Sequence, residues 1–361
     1  MVVVLPLAGA WLAGRPVTAY LHLSPRPPDP APASFVWSVF LIYAALILGI
    51  LGPVIRRIVR TRTPRDDALV GRHFPAWGWA GLALTAVAWV IAWSRIPAFA
   101  GIQLYTFTPL WLGYIVAVNA LTCRRTGHCL LRDRPGCLTA LFPASAVFWW
   151  LFEYINRYIG NWHYVGLEAL TPTGYFVHAS LAFSTVLPAV ASTREWLASM
   201  PRLRRAFRGL PPVTLGDAAV WAVIALGAIG FVVLGAWPHY AYALAWLAPM
   251  LALIGLQALA GQRHVVAGLR AGDWSALGVP AFAALVTGFF WEMWNWKSLA
   301  HWKYSIPLVD GFRIFEMPVL GYAGYLPFGI SCMLLSELIC GENRRTIPDR
   351  SARFATYRRN N

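Results

Sequence analysis

The sequence predicts an all-α, polytopic helical membrane protein of about nine transmembrane helices, arranged as one leading helix followed by two tandem, parallel four-helix repeats. Three observations predict this fold: an apolar composition, long apolar runs separated by basic loops, and a motif that occurs twice. The chain is 58% hydrophobic and only 12% charged, whereas soluble proteins carry about a quarter charged residues. The composition therefore excludes an ordinary soluble protein.

Nine apolar runs follow one another along the chain. A helix needs about 20 apolar residues to cross a bilayer, and these runs are of that order. They lie at 34–55, 76–94, 104–122, 138–157, 174–192, 214–236, 240–260, 276–296 and 316–340. The first run is the leading helix, and the other eight form two groups of four.

Shifts in composition divide the chain into six segments. A short apolar N-terminus lacks the basic start of a signal peptide and leads into a proline-rich spacer. The segments are 1–33 for this region, 34–73 for the leading helix and its basic loop, 74–192 for repeat A, 193–212 for a basic linker, 213–340 for repeat B and 341–361 for a basic tail.

Basic residues alternate with the apolar runs. If the segment before the leading helix lies outside, 23 of the 30 Lys and Arg residues fall in cytoplasmic segments, at 56–73, 123–134, 193–208, 262–270 and 341–361. This positive-inside distribution predicts a multi-pass protein of a bacterial-type inner (plasma) membrane with a cytoplasmic C-terminus. The net charge of +15 is interpreted as a topology signal and an attraction to anionic membrane lipids, and we expect no nucleic-acid partner.

The five cysteines show no paired spacing. This usage fits a bacterial-type inner membrane and gives no indication of structural disulfides, so none is expected. Cys123, His128, Cys129 and Cys137 share one loop, but neighbouring arginines would repel a cation and no metal site is predicted. Cys340 is interpreted as a buried helix residue. The sequence does not specify a cofactor, which is left as unknown.

The repeated motif is an aromatic run, then Glu-x-x-Asn, then Trp-x-Tyr. Glu153 and Asn156 of the first copy recur 139 positions later as Glu292 and Asn295. The Trp-x-Tyr elements that follow are Trp162 with Tyr164 and Trp302 with Tyr304. Such self-similarity indicates an internal duplication. Because each repeat has an even number of helices, both copies face the same way, which predicts a pseudo-twofold axis along the membrane normal.

The spacing of this motif suggests a chemical site. Glu and Asn three positions apart project from one helical face. A charged side chain costs about 2.5–3.5 kcal/mol at the bilayer centre, so an intramembrane acid normally faces a cavity or a partner. We therefore expect an outward-facing aromatic cavity that holds both motifs. The candidate catalytic residues are Glu292, Glu153, Asn156, Asn295 and Glu316. The candidate substrate-binding residues are Trp149, Trp150, Trp291, Trp294, Trp162, Tyr164, Trp302, Tyr304, Arg157 and His178.

The two acids have different sequence surroundings. Arg157 lies four positions after Glu153, a spacing that allows an ion pair on one helical face. Glu292 lies between Trp291 and Trp294. Acids in different environments commonly divide acid and base roles, so we expect Glu292 to donate a proton and Glu153 to stabilise charge or accept one.

Three classes of function remain open. An enzyme acting on an isoprenoid or another lipid would use the acids as proton donors and the aromatic rings to stabilise a cation. A transporter or lipid-binding protein would use Glu153 and Glu292 as proton or cation sites. An accessory subunit of a membrane complex would bind a pigment, a quinone or partner helices. The expected partners are membrane lipids, an apolar lipid or isoprenoid ligand, and a membrane-protein partner.

A structural interpretation competes with all three. Intramembrane Glu and Asn side chains also hydrogen-bond across helices and stabilise packing, and Trp-x-Tyr is typical of anchors at the membrane interface.

The windows 148–164 and 289–304, with acids beside aromatic residues and Trp-x-Tyr after the acid, are similar to the small integral-membrane carotenoid cyclases and hydratases. This resemblance implies acid–base chemistry on an isoprenoid. The chain lacks the Pro-x-Glu-Glu signature of those cyclases and has four predicted helices per repeat where they have three. No catalytic residue is therefore assigned from the resemblance.

Overall fold

The computed structural model describes residues 1–21, 34–62, 73–261 and 268–341. The proline-rich spacer, parts of the predicted cytoplasmic loops at 63–72 and 262–267, and the basic tail after 341 lie outside the described residues. The helices are α1 Val4–Leu12, α2 Thr18–Leu21, α3 Trp37–Arg60, α4 Ala76–Trp93, α5 Ala100–Gln103, α6 Phe107–Thr126, α7 Leu130–Asp133, α8 Pro135–Ile159, α9 Pro172–Phe183, α10 Val186–Ala198, α11 Pro201–Ala206, α12 Asp217–Ala236, α13 Pro238–Ala241, α14 Leu244–Leu259, α15 Ser275–Trp296 and α16 Tyr325–Cys340.

The described chain is helical, and its long helices are apolar enough for a membrane. Seven candidate spans meet this condition by length and composition, counting α9 with α10 as one and including the short 3₁₀ segment Val319–Gly324 with α16. A pair bent by 78°, Pro97–Gln103 with α6, makes an eighth. Helix α14 coincides with the predicted span 240–260 but has only 16 residues. A multi-pass helical membrane protein is supported, and the predicted count of nine is not confirmed.

The last span differs from the prediction at its start. A short hairpin of two strands, β3 Arg313–Ile314 and β4 Met317–Pro318, occupies the start of the run predicted to begin at 316. Glu316 lies in the turn between these strands, and the helix proper begins only at Tyr325. The expectation that Glu316 belongs to the last helix is therefore wrong, because positive-φ residues such as Phe315 turn the chain before the helix forms.

The helix ends gather on two faces of the bundle. On one face, Arg57 donates to the carbonyl oxygens of Ala206 (2.6 Å) and Arg208 (2.6 Å), and Arg125 donates to the Ser199 hydroxyl (2.9 Å). We call this the basic face, because segments of the predicted cytoplasmic loops, which carry most of the basic residues, meet there. The basic face comprises 56–62, 123–134, 194–210 and 268–275.

The opposite face carries the two Trp-x-Tyr elements. There the Arg95 guanidinium donates to the Lys297 carbonyl (2.7 Å), and the Val36 amide donates to the Leu308 carbonyl (2.9 Å), which fixes the start of α3. We call it the motif face, and it comprises 94–106, 160–171 and 297–324.

A disulfide joins the two halves of the chain at the basic face. Cys137, at the start of α8, is bonded to Cys340, the last residue of α16, across 203 positions of sequence. This corrects the expectation of no structural disulfide and the interpretation of Cys340 as an ordinary buried residue. Spacing does not reveal the pair, because only helix packing brings these two ends together.

Two strands on the motif face pair the motifs with each other. Strand β1 (Trp162–Val165) runs antiparallel to β2 (His301–Tyr304). Trp162 lies opposite Tyr304, and Tyr164 lies opposite Trp302. The tryptophan of each motif therefore faces the tyrosine of the other.

The N-terminal helix α1 packs along α12. A Cβ on Gly9 would overlap the carbonyl of Val232, and a Cβ on Gly235 would overlap the carbonyl of Pro6. These glycines allow the two helix backbones to touch, as small residues do where membrane helices cross closely. The predicted apolar N-terminus is thus a packed helix of nine residues.

Two buried carboxyls behind an aromatic cavity

The two motif asparagines hold the strands in place. Asn156 donates to the carbonyl of Trp162 (2.7 Å) and accepts from the amides of Asn161 (2.9 Å) and Trp162 (3.3 Å). Asn295 donates to the carbonyl of Trp302 (2.7 Å) and accepts from its amide (2.8 Å). Each asparagine thus binds both backbone groups of the tryptophan that follows it. This is a positioning role, and it places the indole and the tyrosine two residues later over the glutamate.

The first glutamate, Glu153, receives three hydrogen bonds on one oxygen. Its Oε1 accepts from the indole nitrogens of Trp149 (2.9 Å) and Trp162 (3.0 Å) and from the Tyr164 hydroxyl (2.6 Å). The side chain is buried, with 5% of the residue exposed. All three donors belong to the same half of the chain, on α8 and β1.

The second glutamate, Glu292, is completely buried. Its Oε1 accepts from the hydroxyls of Tyr304 (2.7 Å) and Tyr325 (2.6 Å). The Trp302 indole donates to the Tyr304 hydroxyl (2.8 Å). Two phenols thus surround this carboxyl oxygen.

An aromatic cavity lies in front of both carboxyls, on the side of the motif face. The space between its walls, open mouth included, measures about 1100 Å³. Most of the wall is aromatic or aliphatic, and Trp149, Trp162, Trp246, Trp291, Trp302 and Phe183 are among its members. The hydroxyl-bearing residues Tyr164, Tyr304 and Tyr325 line it as well. The carboxyls lie behind the wall, so a ligand in the cavity meets their hydrogen-bond donors.

Several predicted binding residues are brought together in this wall. They are Trp149, Trp162, Tyr164, His178, Trp291, Trp302 and Tyr304. Two others lie elsewhere. Trp150 donates to the Ser180 hydroxyl (2.9 Å), and Trp294 is buried against Trp111, with ring centroids 5.1 Å apart.

Two charged candidates also lie outside the wall. Glu316 is half-buried in the β3–β4 turn, and its backbone carbonyl accepts from Arg313 (2.8 Å). Arg157 is half-buried one turn beyond Glu153. The donors to Glu153 are two indoles and a phenol, and the predicted ion pair with Arg157 is not confirmed.

Sequence reasoning missed Tyr325 and Trp246. Tyr325 directly precedes the Leu-Pro pair of the last helix, but the residue 139 positions earlier is Val186, so matching the repeats does not reveal it. Trp246 corresponds by the same offset to Phe107, and both line the cavity. Extending the offset beyond the motif windows would therefore have found Trp246.

The two strand tyrosines remain hydrogen-bond donors over the physiological pH range. Burial raises the pKa of the Tyr164 and Tyr304 hydroxyls well above the usual range, and the neighbouring carboxyls of Glu153 and Glu292 raise it further. At neutral pH both hydroxyls therefore carry their protons towards the carboxyls.

The chemistry of the wall suits an apolar ligand better than a metal ion. Within the described ranges, no three His, Cys, Asp or Glu side chains cluster as metal ligands would. His178 and His301 both line the cavity, but each stands alone among aromatic and aliphatic neighbours.

No protein-family model matches the chain, and no curated protein and no solved structure matches it.

Proposed function

We propose that this protein is a membrane-embedded enzyme that binds an isoprenoid or another unsaturated lipid and transfers a proton to it. The observation that supports this best is the combination of an aromatic cavity with carboxyl-bound hydroxyls. Tyr164, Tyr304 and Tyr325 line the cavity, and each donates to a buried glutamate behind the wall. A ligand there meets proton donors in largely apolar surroundings.

The proposed step needs no co-reactant. Proton transfer to a carbon–carbon double bond forms a C–H bond, breaks the π bond and leaves a carbocation. Aromatic faces stabilise a cation by about 0.5–2 kcal/mol each, and Trp149, Trp162 and Trp291 lie in the wall. Loss of a proton from a neighbouring carbon to the site restores a double bond, so the net reaction is an isomerisation or a cyclisation. A positioned general acid contributes about 10²–10⁴-fold to such a rate.

We also propose that the two halves arose by duplication and are related by a pseudo-twofold axis between the paired strands. The antiparallel register supports this, because it places His163 opposite Lys303, the middle residues of the two Trp-x-Tyr elements. Contacts between the halves support it too. The ring of Phe107 lies 5.9 Å from that of Trp302, and its counterpart Trp246 lies 5.8 Å from Trp162.

Within this proposal the basic face lies in the cytoplasm, and the cavity faces the outer leaflet of a bacterial-type inner membrane. The arginines of the basic face support this orientation. The Cys137–Cys340 disulfide on the same face argues against it, because disulfides are rare in a reducing cytoplasm, so labelling decides the orientation. The test is membrane-impermeant thiol labelling of single cysteines introduced at Lys303 on the motif face and at Arg208 on the basic face. Labelling of the Lys303 position alone in intact cells is expected, and labelling of the Arg208 position alone would overturn the orientation.

The catalytic proposal is tested with geranylgeraniol as the unsaturated lipid. The purified protein is incubated with it in D₂O, and the recovered lipid is analysed by mass spectrometry. We expect deuterium to be incorporated at carbon, because protonation of a double bond and loss of a proton exchange the hydrogens with solvent. Glu292→Gln should abolish the incorporation, and Glu153→Gln should reduce it. Absence of incorporation in the wild-type protein would refute the proposal.

A second candidate is a lipid-binding protein without chemistry. The position of both carboxyls behind the wall favours it, and so do the two indole donors on Glu153, which hold that carboxyl fixed. A cation transporter is less well supported, because hydrogen-bond donors and not a cation path surround the acids. If geranylgeraniol changes the tryptophan fluorescence of the protein but takes up no deuterium, the result would favour the lipid-binding protein.

A further inference from the structure

We propose that Tyr325, which has no counterpart in the first site around Glu153, is the catalytic residue that passes the proton from Glu292 to the bound lipid. The inference rests on the proposed function and assigns the proton-transferring group within it. It follows from a comparison of the donors in the two sites.

Both sites contain a tyrosine and an indole that come from their Trp-x-Tyr elements. Each site has a tyrosine from Trp-x-Tyr that donates to the glutamate, Tyr164 at 2.6 Å and Tyr304 at 2.7 Å. Each also has the indole of that element. Trp162 donates to the carboxyl itself, and Trp302 donates to the Tyr304 hydroxyl, which fixes that hydroxyl. The sites therefore differ mainly in the third donor.

The third donor comes from a different position in each site. In the first site it is Trp149, four residues before the glutamate. The corresponding residue of the second site is Gly288, and the third donor is Tyr325 from α16. The residue that corresponds to Tyr325 in the first half is Val186. The large donor therefore stands at the first position of the pair in one site (Trp149, with Val186) and at the second position in the other (Tyr325, with Gly288).

The two arrangements of the third donor exclude each other sterically. A Cβ on Gly288 would lie 2.5 Å from Cδ2 and Cε2 of the Tyr325 ring, closer than side-chain carbons approach. An indole at 288 and the present Tyr325 therefore cannot coexist. The absence of a side chain at Gly288 is what lets Tyr325 reach the carboxyl at 2.6 Å.

The difference in the third donor changes what the site can do. An indole N–H is a donor only, whereas a phenol hydroxyl both donates and accepts a hydrogen bond and can therefore pass a proton on. In the proposed step the Tyr325 O–H bond breaks as the C–H bond of the lipid forms. For this step the Tyr325 hydroxyl, which donates to Glu292 in the structure, rotates its proton towards the lipid, and the protonated Glu292 carboxyl then donates to the Tyr325 oxygen. The carboxyl proton replaces the proton that the phenol has lost, and the resulting carboxylate offsets the charge of the carbocation.

The ring of Tyr325 is placed for this transfer. It lines the cavity and lies against Trp291, with centroids 6.0 Å apart and planes inclined by 28°. The carbocation would form next to this pair of rings, whose faces stabilise positive charge.

The test compares hydroxyl deletions in the deuterium-incorporation assay with geranylgeraniol. Tyr325→Phe keeps the ring and removes the hydroxyl, and we expect it to lower the incorporation rate by about 100-fold or more. Tyr164→Phe removes the Trp-x-Tyr hydroxyl that donates to Glu153 and should lower the rate by less than about 10-fold. Tyr114→Phe removes a buried hydroxyl that is bonded to Thr193 outside the cavity and should leave the rate unchanged.

Binding is measured in parallel by energy transfer from tryptophan to all-trans-retinol. An affinity of Tyr325→Phe within about twofold of wild type shows that the cavity is intact and assigns the loss to proton transfer. A wild-type rate in Tyr325→Phe would overturn the role of Tyr325 while leaving the proposed function standing. No incorporation by the wild-type protein would overturn both.

A graft gives an independent readout. The double variant Gly288→Trp with Tyr325→Val gives the second site the donor arrangement of the first. This variant should no longer incorporate deuterium into the lipid, although it should still bind retinol. Trp149→Gly with Val186→Tyr should restore measurable incorporation to a Glu292→Gln protein, because it gives Glu153 a phenol as third donor. Activity of the first graft at the wild-type level would overturn the assignment.

Discussion

Replacing Asn295 with alanine tests the role that the structure gives to the motif asparagines. Asn295 is 1% exposed and binds both the carbonyl (2.7 Å) and the amide (2.8 Å) of Trp302. Its loss leaves two backbone groups without these partners. A buried polar group without a partner costs about 1–3 kcal/mol, so Asn295→Ala should lower the free energy of unfolding by about 2–6 kcal/mol.

The assay is unfolding by sodium dodecyl sulfate in mixed micelles. Asn295→Asp keeps the oxygen that accepts from the Trp302 amide, but it places a second carboxyl oxygen against the Trp302 carbonyl in a buried site, so a loss at least as large as in Asn295→Ala is expected. Thr287→Val is a control on the same helix, because the Thr287 hydroxyl bonds only to carbonyls of its own helix. An unchanged free energy of unfolding in Asn295→Ala, with lipid chemistry lost, would refute the positioning role and favour a catalytic one.

Three further predictions concern other parts of the molecule. Reduction of the Cys137–Cys340 bond, which closes a loop of about 203 residues, should lower the free energy of unfolding by up to about 5 kcal/mol, measured in the same assay. Burial raises the pKa of Asp273, but hydrogen bonds from Ser275 outweigh burial and hold this pKa below the usual range. The Asp273 carboxylate should therefore stabilise the fold at neutral pH, and this stabilisation should be lost as the pH falls below about 4. Gly9→Leu should detach α1 from α12 and expose it to proteolysis.

Each of these has a result that contradicts it. Alkylation of Cys137 and Cys340 in the unreduced protein would show that no bond exists. An Asp273→Asn protein with the same acid sensitivity as wild type would assign that sensitivity to other groups. Protection of the N-terminus in Gly9→Leu, at the wild-type rate of cleavage, would show that the close helix contact is not needed.

The local chemistry of the sequence was enough to predict the helical membrane class and the paired motifs. Hydrophobicity is additive along a helix, so apolar runs of about 20 residues can be recognised without any knowledge of neighbours. The Glu-x-x-Asn spacing likewise places both side chains on one face, and both pairs are buried in the bundle.

Contacts between distant segments could not be predicted in this way. Tyr325 reaches Glu292 from another helix, 33 positions away, and only because Gly288 leaves room. Cys137 and Cys340 meet because α8 and α16 end at the same face. Neither pairing leaves a periodic signal in the sequence.

The sequence by itself determined that the chain is a helical membrane protein in which an acid-and-aromatic motif occurs twice, because composition and spacing act locally. Only the tertiary structure decided that the asparagines hold strands, that the carboxyls lie behind an aromatic wall, and that the third donor differs between the two sites. The physical reason is packing: which side chain fills a space depends on what its neighbours leave open, and those neighbours are far away in sequence.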